Sequence, residues 1–454
     1  MNATFFGDML QTIADRGRAL LEHALPGRVD GVTRSENLVE ECEQLLTGRG
    51  EASGVALARD ILAQYAALTT GPRIAFFEAL ANRFGPDEAR LKAAIGAWQS
   101  DANDETIAEI HLAAEPRRQE LFRRLNLAPG GTAALVKMRE QLIDAMDHRD
   151  DLAAVDADFV HLFSSWFNRG FLVLRKIDWS TPANILEKII KHEAVHKIRS
   201  WDDLRRRIDP ADRCCYAFFH PALVDEPLIF VEVALTREIA NSIAPILAAQ
   251  RESLDPERAT TGVFYSISNC QRGLAGVTFG HFLIKQVVEE ISRDNPRLSR
   301  FVTLSPTPNF AEWLRREREN EHSIVLDAAD RAALATLDVE GWWQLPDRRE
   351  EVQDPLMRAA AYYFLHAKNA RGTPVDAVAR FHLGNGARLE QINFLGDASE
   401  KGIHQAHGMM VNYLYDLDYI ERNHEAYAQN RAIAASGAVK RMVRAAPAEL
   451  VPLD

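Results

Sequence analysis

The stretch from residue 262 to residue 304 constrains this fold more than any other. It reads GVFYSIS, then a loop holding Gly273, Gly276 and Gly280, then an apolar-periodic run, then FVTL. Phe282, Leu283, Val287, Val288 and Ile291 fall on one face of a helix. Two strands separated by a loop and a helix of this length cannot form a hairpin. They pair in parallel through a crossover, which is right-handed in nearly all cases. The glycine loop after the first strand and Ser305 after the second therefore emerge at the same sheet edge. Glycine lets a backbone approach a ligand closely, and the free N–H groups of a helix start attract anions. Such a loop can hold a phosphate-bearing ligand without a lysine, and a ligand bridging it to Ser305 is one reading. A glycine-rich turn that serves only packing is the other.

The rest of the chain divides by texture. Leu38, Val39, Cys42, Leu45 and Leu46 share one helical face. Leu57, Ile61, Tyr65 and Leu68 repeat the pattern up to Gly71-Pro72, and Phe76, Phe77, Leu80 and Phe84 up to Gly85-Pro86. Amphipathic stretches continue to residue 146, so residues 1–150 are expected to form an all-α bundle with short turns. The acidic DHRDD at 147–151 marks its end, and a helical stretch over 151–196 either extends the bundle or opens the next domain. Past residue 210, CCYAFF (214–219) and LIFVEVAL (228–235) are short and β-rich. RFHL (380–383) and RLEQINF (388–394), split by Gly384-Asn385-Gly386-Ala387, read as a hairpin. Helices are expected at 236–249, 278–292, 355–370 and 399–414. The fold class is α+β: an N-terminal all-α helical bundle, then a mixed α/β domain over 151–454.

Composition sets outer bounds. With 454 residues, 47% of them hydrophobic, the chain can bury more than one core and is not disordered. The formal charge of −12 argues against nucleic acid, whose phosphates attract a basic face. Four cysteines (Cys42, Cys214, Cys215, Cys270) with no C-x-x-C pair suit a reducing compartment. Asp8, Asp15 and Arg16 interrupt the apolar core a signal peptide would need, and no stretch of 18 apolar residues occurs. A cytoplasmic protein that does not span a membrane is expected.

Three sites invite chemistry. HEAVH at 192–196 fits H-E-x-x-H, which on a helix would set His192 and His196 one turn apart on zinc with Glu193 as base. The bland rival is a half-buried helix that happens to end in two histidines, and Lys197-Ile198-Arg199 denies the usual histidine extension. Ser305 is followed by Pro306-Thr307-Pro308, which hold the chain extended; it is either a functional donor or an ordinary turn residue. His382 stands beside a glycine turn, either as an acid–base group or as a core histidine bonded to backbone. There is no G-x-x-x-x-G-K-[ST], and no G-x-S-x-G elbow.

Longer blocks carry a resemblance. FFHPALVDEPLIFVEVALT (218–236), FYSISNCQRGLAGVTFGHFLIKQVV (264–288), FVTLSPTPNFAEWL (301–314), VARFHLGNGARLEQINFLGDAS (378–399) and KGIHQAHGMMVNYLYDL (401–417) closely resemble the malonyl-CoA decarboxylase family. The similarity is collinear through most of 185–417. It implies a helical oligomerisation domain (1–150) and a catalytic domain (151–454) of the acetyltransferase-like GNAT type, with coenzyme A beside two splayed parallel strands. It implies that Ala275, Gly276, Val277, Thr278, Phe279, Gly280 and His281 line the acyl-CoA site. It assigns catalysis to Ser305 and His382, and matches Tyr415 to an active-site tyrosine. No metal and no separate cofactor are implied, coenzyme A being part of the substrate. The partners implied are malonyl-CoA, acetyl-CoA and further copies of the chain, as a dimer or tetramer. In the loop, Cys270 stands where acetyltransferases usually carry Gln or Arg, with Gln271 and Arg272 displaced.

The implied reaction converts malonyl-CoA to acetyl-CoA and CO2 through an enolate. Ser305 would orient the carboxylate, His382 would protonate carbon, and Tyr415 would support them. Two other readings share the fold: an acyltransferase that passes the acyl group to an amine, and a non-catalytic acyl-CoA-binding protein.

Overall fold

The computed structural model describes residues 34–443, apart from 49, 148 and 278–282. The chain divides into two compact units. The first runs to Val173 and takes in residues 219–226 and 271–277; the second holds the remaining described residues.

The first unit is built from helices α1 (Arg34–Leu46), α2 (Glu51–Ala66), α3 (Thr70–Arg83), α4 (Glu88–Ser100), α5 (Asp104–Ala114), α6 (Arg117–Asn126), α7 (Gly131–Ala145) and α8 (Ala153–Trp166). Their starts follow local chemistry. The Asp87 carboxylate accepts from the N–H of Arg90 at the head of α4, and Asn103 with Thr106 forms a capping box on α5. Phe76, Phe77, Leu80, Phe122, Leu125, Leu135 and Phe159 are fully buried among them, with Phe122 and Phe159 stacked at 4.1 Å. The unit extends past residue 150 because α8 packs into it.

One ion pair lies inside this apolar setting. Arg118 on α6 meets Asp158 on α8, both buried, and Gln119 Nε2 donates to Asp158 Oδ1 at 2.6 Å. The segment 271–277 is fixed to the same unit through α7. Arg139, itself buried, donates Nη1 to the carbonyls of Gly273 (2.8 Å) and Ala275 (2.7 Å) while Asp156 holds its Nε at 2.8 Å. Gly273 comes so close to α7 that a Cβ there would lie 2.0 Å from the Val136 carbonyl oxygen.

The second unit carries an eight-stranded sheet: β1 (Val173–Ile177), β2 (Arg213–Phe219), β3 (Pro227–Thr236), β4 (Thr261–Asn269), β5 (Arg300–Thr303), β6 (Ser305–Pro306), β7 (Arg388–Asn393) and β8 (Met410–Leu414). The order is β1-β2-β3-β4-β5-β8-β6, with β7 also on β8. Every residue of β2 is buried, as expected of a strand covered on both faces. β4 and β5 pair in parallel from Thr261–Arg300 to Phe264–Thr303, as the crossover argument required. The last bond between them runs from Leu304 N–H to the Phe264 carbonyl at 2.8 Å. Beyond it β4 continues to Asn269 against β3, while the other chain turns to pair Ser305 with Val411 of β8.

The second unit also contains helices α9 (Ala183–His192), α10 (Leu283–Asp294), α11 (Pro346–Leu365), α12 (Ala377–Gly384) and α13 (Glu400–Ala406). On α10, Val287, Val288 and Ile291 are buried as the periodicity predicted, joined by Ile284, while Leu283 is only half-buried and Phe282 lies outside the described residues.

Four expectations are corrected. The hairpin expected at 380–394 is a helix, α12, followed by a strand, β7. Asp376 caps α12 by accepting from Ala379 N–H at 2.7 Å, and Ala379, His382 and Leu383 are buried at helical spacing. The helix expected over 399–414 stops at Ala406. His407 and Gly408 take positive φ, the Gly408 N–H bonds back to the Gly402 carbonyl at 3.0 Å, and β8 follows. Of 236–249, only Ala244–Leu247 is helical, and Ile243 N–H is drawn off to the Gly396 carbonyl. The stretch 151–196 is broken by β1.

Replacing Asp158 by alanine strands a buried guanidinium. Asp158→Ala is expected to lower unfolding stability by about 3–5 kcal/mol, measured by urea titration of both proteins.

Candidate active site

Three strategies of chain placement converge in the second unit. Ser305 sits where the parallel strands part, held by β6–β8 pairing. His382 lies in α12, whose N-cap Asp376 is itself buried and accepts from the Tyr363 hydroxyl on α11 at 3.3 Å. Tyr415 directly follows β8, its N–H on the Phe301 carbonyl at 2.8 Å.

The side chains form one hydrogen-bonded chain. Tyr415 Oη lies 2.7 Å from His382 Nδ1, and His382 Nε2 lies 3.2 Å from Ser305 Oγ. Ser305 Oγ donates in turn to Thr303 Oγ1 at 2.8 Å, and Thr303 Oγ1 also accepts the Tyr413 N–H at 3.1 Å. The Tyr413 ring stacks on the imidazole at 4.6 Å with 25° between planes. All five side chains are buried.

Burial decides the charge state. It pushes the His382 pKa down to about 3 and the Tyr415 phenol well above its ordinary range. At neutral pH the centre is therefore an uncharged imidazole between two hydroxyls, with a phenol able to donate to one nitrogen and a serine on the other.

The expected residues fall into two groups. Ser305, His382 and Tyr415 come together in the second unit. Ala275, Gly276 and Val277 belong to the first unit, where Ala275 and Gly276 are exposed, Val277 is buried and Gly276 has φ +78°. Thr278, Phe279, Gly280 and His281 lie outside the described residues. Arg272 pairs with Asp144 at 2.6 Å, and Lys285 lies 3.1 Å from Glu421.

HEAVH takes a different shape from the one zinc would need. Helix α9 ends at His192, so His192 and His196 do not share a helical face. Glu193 is buried, and its carboxylate accepts the N–H groups of Val195 (2.8 Å) and His196 (2.7 Å) and the Ser266 hydroxyl at 2.6 Å. It caps a turn.

Sequence reasoning missed Thr303, Tyr413 and Asp376. The first two had a signal, since residues two apart on a strand share a face: Thr303 precedes Ser305 by two, and Tyr413 precedes Tyr415 by two. Asp376 immediately before an Ala-rich run was a cap signature.

The mixed sheet thus carries a buried serine–histidine–tyrosine chain, groups of the kind that acid–base catalysis uses. The malonyl-CoA decarboxylase C-terminal domain family matches residues 170–451, and the corresponding N-terminal domain family matches 84–167. Malonyl-CoA decarboxylase, mitochondrial, from Anser anser anser is 36% identical over 416 residues, covering 84% of this chain and 81% of that protein. The Rattus norvegicus protein of the same name is 34% identical over 358 residues, 74% of this chain and 72% of its own. Among solved structures, malonyl-CoA decarboxylase from Rhodopseudomonas palustris is 58% identical with a TM-score of 0.87, over 90% of this chain and 99% of that one. That from Agrobacterium vitis is 55% identical with a TM-score of 0.87, over 90% of this chain and 100% of its own. The chain belongs to the malonyl-CoA decarboxylase family, and it is an enzyme of the carboxy-lyase class.

Folding lowers the His382 pKa from the usual 6.5 to about 3. Between those values the unfolded chain binds the extra proton, so stability falls as pH falls through the window, by about 1.4 kcal/mol per pH unit for one such group. Urea unfolding of the unaltered protein and of His382→Gln at stepped pH is expected to give the shallower decline in the variant.

Proposed function

We propose that this enzyme decarboxylates malonyl-CoA to acetyl-CoA and CO2, with Ser305 and His382 as its catalytic residues. The observation that carries the reading is the buried Tyr415–His382–Ser305 chain in a member of this family. Breaking the C–C bond to the carboxylate releases CO2 and leaves its electron pair in an enolate delocalised over the thioester. The thioester is its own electron sink, so the chemistry asks for no additional cofactor.

Ser305 turns its hydroxyl to the malonyl carboxylate and orients the scissile bond against the carbonyl π-system. A carboxylate arriving beside His382 favours the protonated imidazole. Loss of CO2 then creates a carbon base far stronger than imidazole, and the proton moves from Nε2 to carbon, leaving neutral histidine and acetyl-CoA. The Tyr415 hydroxyl can donate to or accept from Nδ1, so it serves both charge states. Ala275 to His281 are proposed to line the acyl-CoA site; the exposure of Ala275 and Gly276 supports this for the described part.

Self-association through the helical domain (1–150), as a dimer or tetramer, is also proposed. Ile95, Trp98, Ile107 and Leu112 on α4 and α5 are large apolar side chains left exposed, at 39–54%. No helix of the described residues is long and apolar enough to cross a membrane. The four cysteines are free and buried, which supports the cytoplasmic reading, while two of the relatives above are named mitochondrial.

Purified protein given malonyl-CoA is expected to yield acetyl-CoA and CO2 in equal amounts. Ser305→Ala and His382→Asn should each lower kcat by about 10²–10³-fold, as loss of a transition-state donor does, while still binding coenzyme A in a calorimetric titration. Unimpaired turnover in both variants would refute the residue assignment. Release of coenzyme A only when an amine is added, without CO2, would favour acyl transfer. Tight acyl-CoA binding with no turnover would favour the binding-protein reading.

A further inference from the structure

The hydrogen-bonded chain has a direction, and the residue that sets it is not among those proposed to touch substrate. Thr303 is fully buried on β5. Its Oγ1 is fixed from one side by the Tyr413 N–H at 3.1 Å. Its backbone carbonyl is fixed by Asn412 Nδ2 at 2.7 Å, and Asn412 Oδ1 accepts from Asn393 Nδ2 at 2.7 Å. The hydroxyl oxygen therefore stands at a set point beside Ser305, and the geometry of the pair makes Ser305 the donor, at 2.8 Å.

With its proton committed to Thr303, Ser305 offers His382 lone pairs only. A nitrogen facing a lone pair must carry hydrogen, so Nε2 is the protonated nitrogen and Nδ1 the acceptor. Nδ1 then accepts a hydrogen bond from the Tyr415 hydroxyl at 2.7 Å. The opposite polarity would need Ser305 to donate to Nε2 and Thr303 to donate to Ser305.

We propose that Thr303 is a positioning residue: it holds the Ser305 proton away from His382, and so keeps the imidazole as the Nε2–H tautomer with its hydrogen facing the serine. The catalytic consequence rests on the decarboxylase reading above; the tautomer does not. When a substrate carboxylate arrives, the same serine proton needs only to rotate from Thr303 to the carboxylate, and no proton has first to be recovered from histidine.

The test uses the full-length protein with ¹⁵N-histidine, the His382 signals assigned by their loss in His382→Gln. Long-range ¹H–¹⁵N correlations distinguish the two tautomers directly. The unaltered protein is expected to show His382 as Nε2–H. Thr303→Val, which keeps the side-chain shape and removes the acceptor, should shift it towards Nδ1–H. The same variant should lower kcat for malonyl-CoA about ten- to a hundredfold, as small misplacements of reacting groups do, with KM nearly unchanged. Thr303→Ser restores the oxygen and should restore both tautomer and kcat.

An Nδ1–H tautomer in the unaltered protein would overturn the proposal without any variant, and decides the matter even if the valine protein does not fold. An unchanged tautomer in Thr303→Val would also overturn it, whatever happens to kcat, because the loss would then be merely structural. A protein that shows the Nε2–H tautomer and its shift, yet never releases CO2, would retain the positioning role and refute the decarboxylase reading.

Discussion

The antiparallel seam along β8 is the constraint on which the site depends. β5 can pair with β4 only as far as Phe264–Thr303, and one more bond, from Leu304, closes that ladder. The chain then needs a new partner for Ser305, and Val411 of β8 supplies it. Because β8 also pairs Val302 with Leu414, the position of Ser305 fixes where Tyr413 and Tyr415 fall. Asn412 ties the seam across, donating to the carbonyls of Thr303 (2.7 Å) and Ala240 (3.0 Å). Helix α12 then has only to deliver His382 into a place already bounded by a tyrosine ring, a phenol and a serine.

Electrostatics follows from that enclosure. A buried imidazole without a carboxylate beside it stays neutral. Its partners here are hydroxyls, which can reverse donor and acceptor roles without charge separation. Among the described residues the resting centre holds no ion pair, and the proposed substrate would bring a full charge to it. That suits the proposed reaction, whose difficult species is a carbanion, since the substrate's own carboxylate would favour the proton-donating imidazolium. By contrast, the buried Arg118–Asp158 pair in the first unit keeps its charges permanently matched and serves stability.

The crossover was legible because its signals were redundant: two β-rich runs, a glycine loop and a helical period between them. Ser305 was legible as the end of the second run. His382 was found by its neighbours in sequence but put on the wrong element, because Phe381 and Leu383 around it mimic strand alternation while the deciding features were the Asp376 cap and the Ala379–His382–Leu383 spacing. β8 was hidden inside a stretch that reads as one helix, and only the left-handed turn at His407-Gly408 separates it from α13. Pairwise facts, such as Thr303 meeting Ser305 or Tyr413 stacking on His382, depend on which strands become neighbours. Local pattern cannot supply that. Net charge was equally silent about the site: a chain of −12 is proposed to take an anionic thioester at a centre built on the neutral Ser305, His382 and Tyr415.

An enolate formed at this site must take a proton on carbon before acetyl-CoA can leave. The most direct measurement is turnover of malonyl-CoA in D2O, with the acetyl-CoA analysed by mass spectrometry. Decarboxylation through an enolate should release CO2 and deliver one deuterium to the acetyl methyl group in each turnover. Acetyl-CoA formed without deuterium, or free coenzyme A released with no CO2, would contradict it.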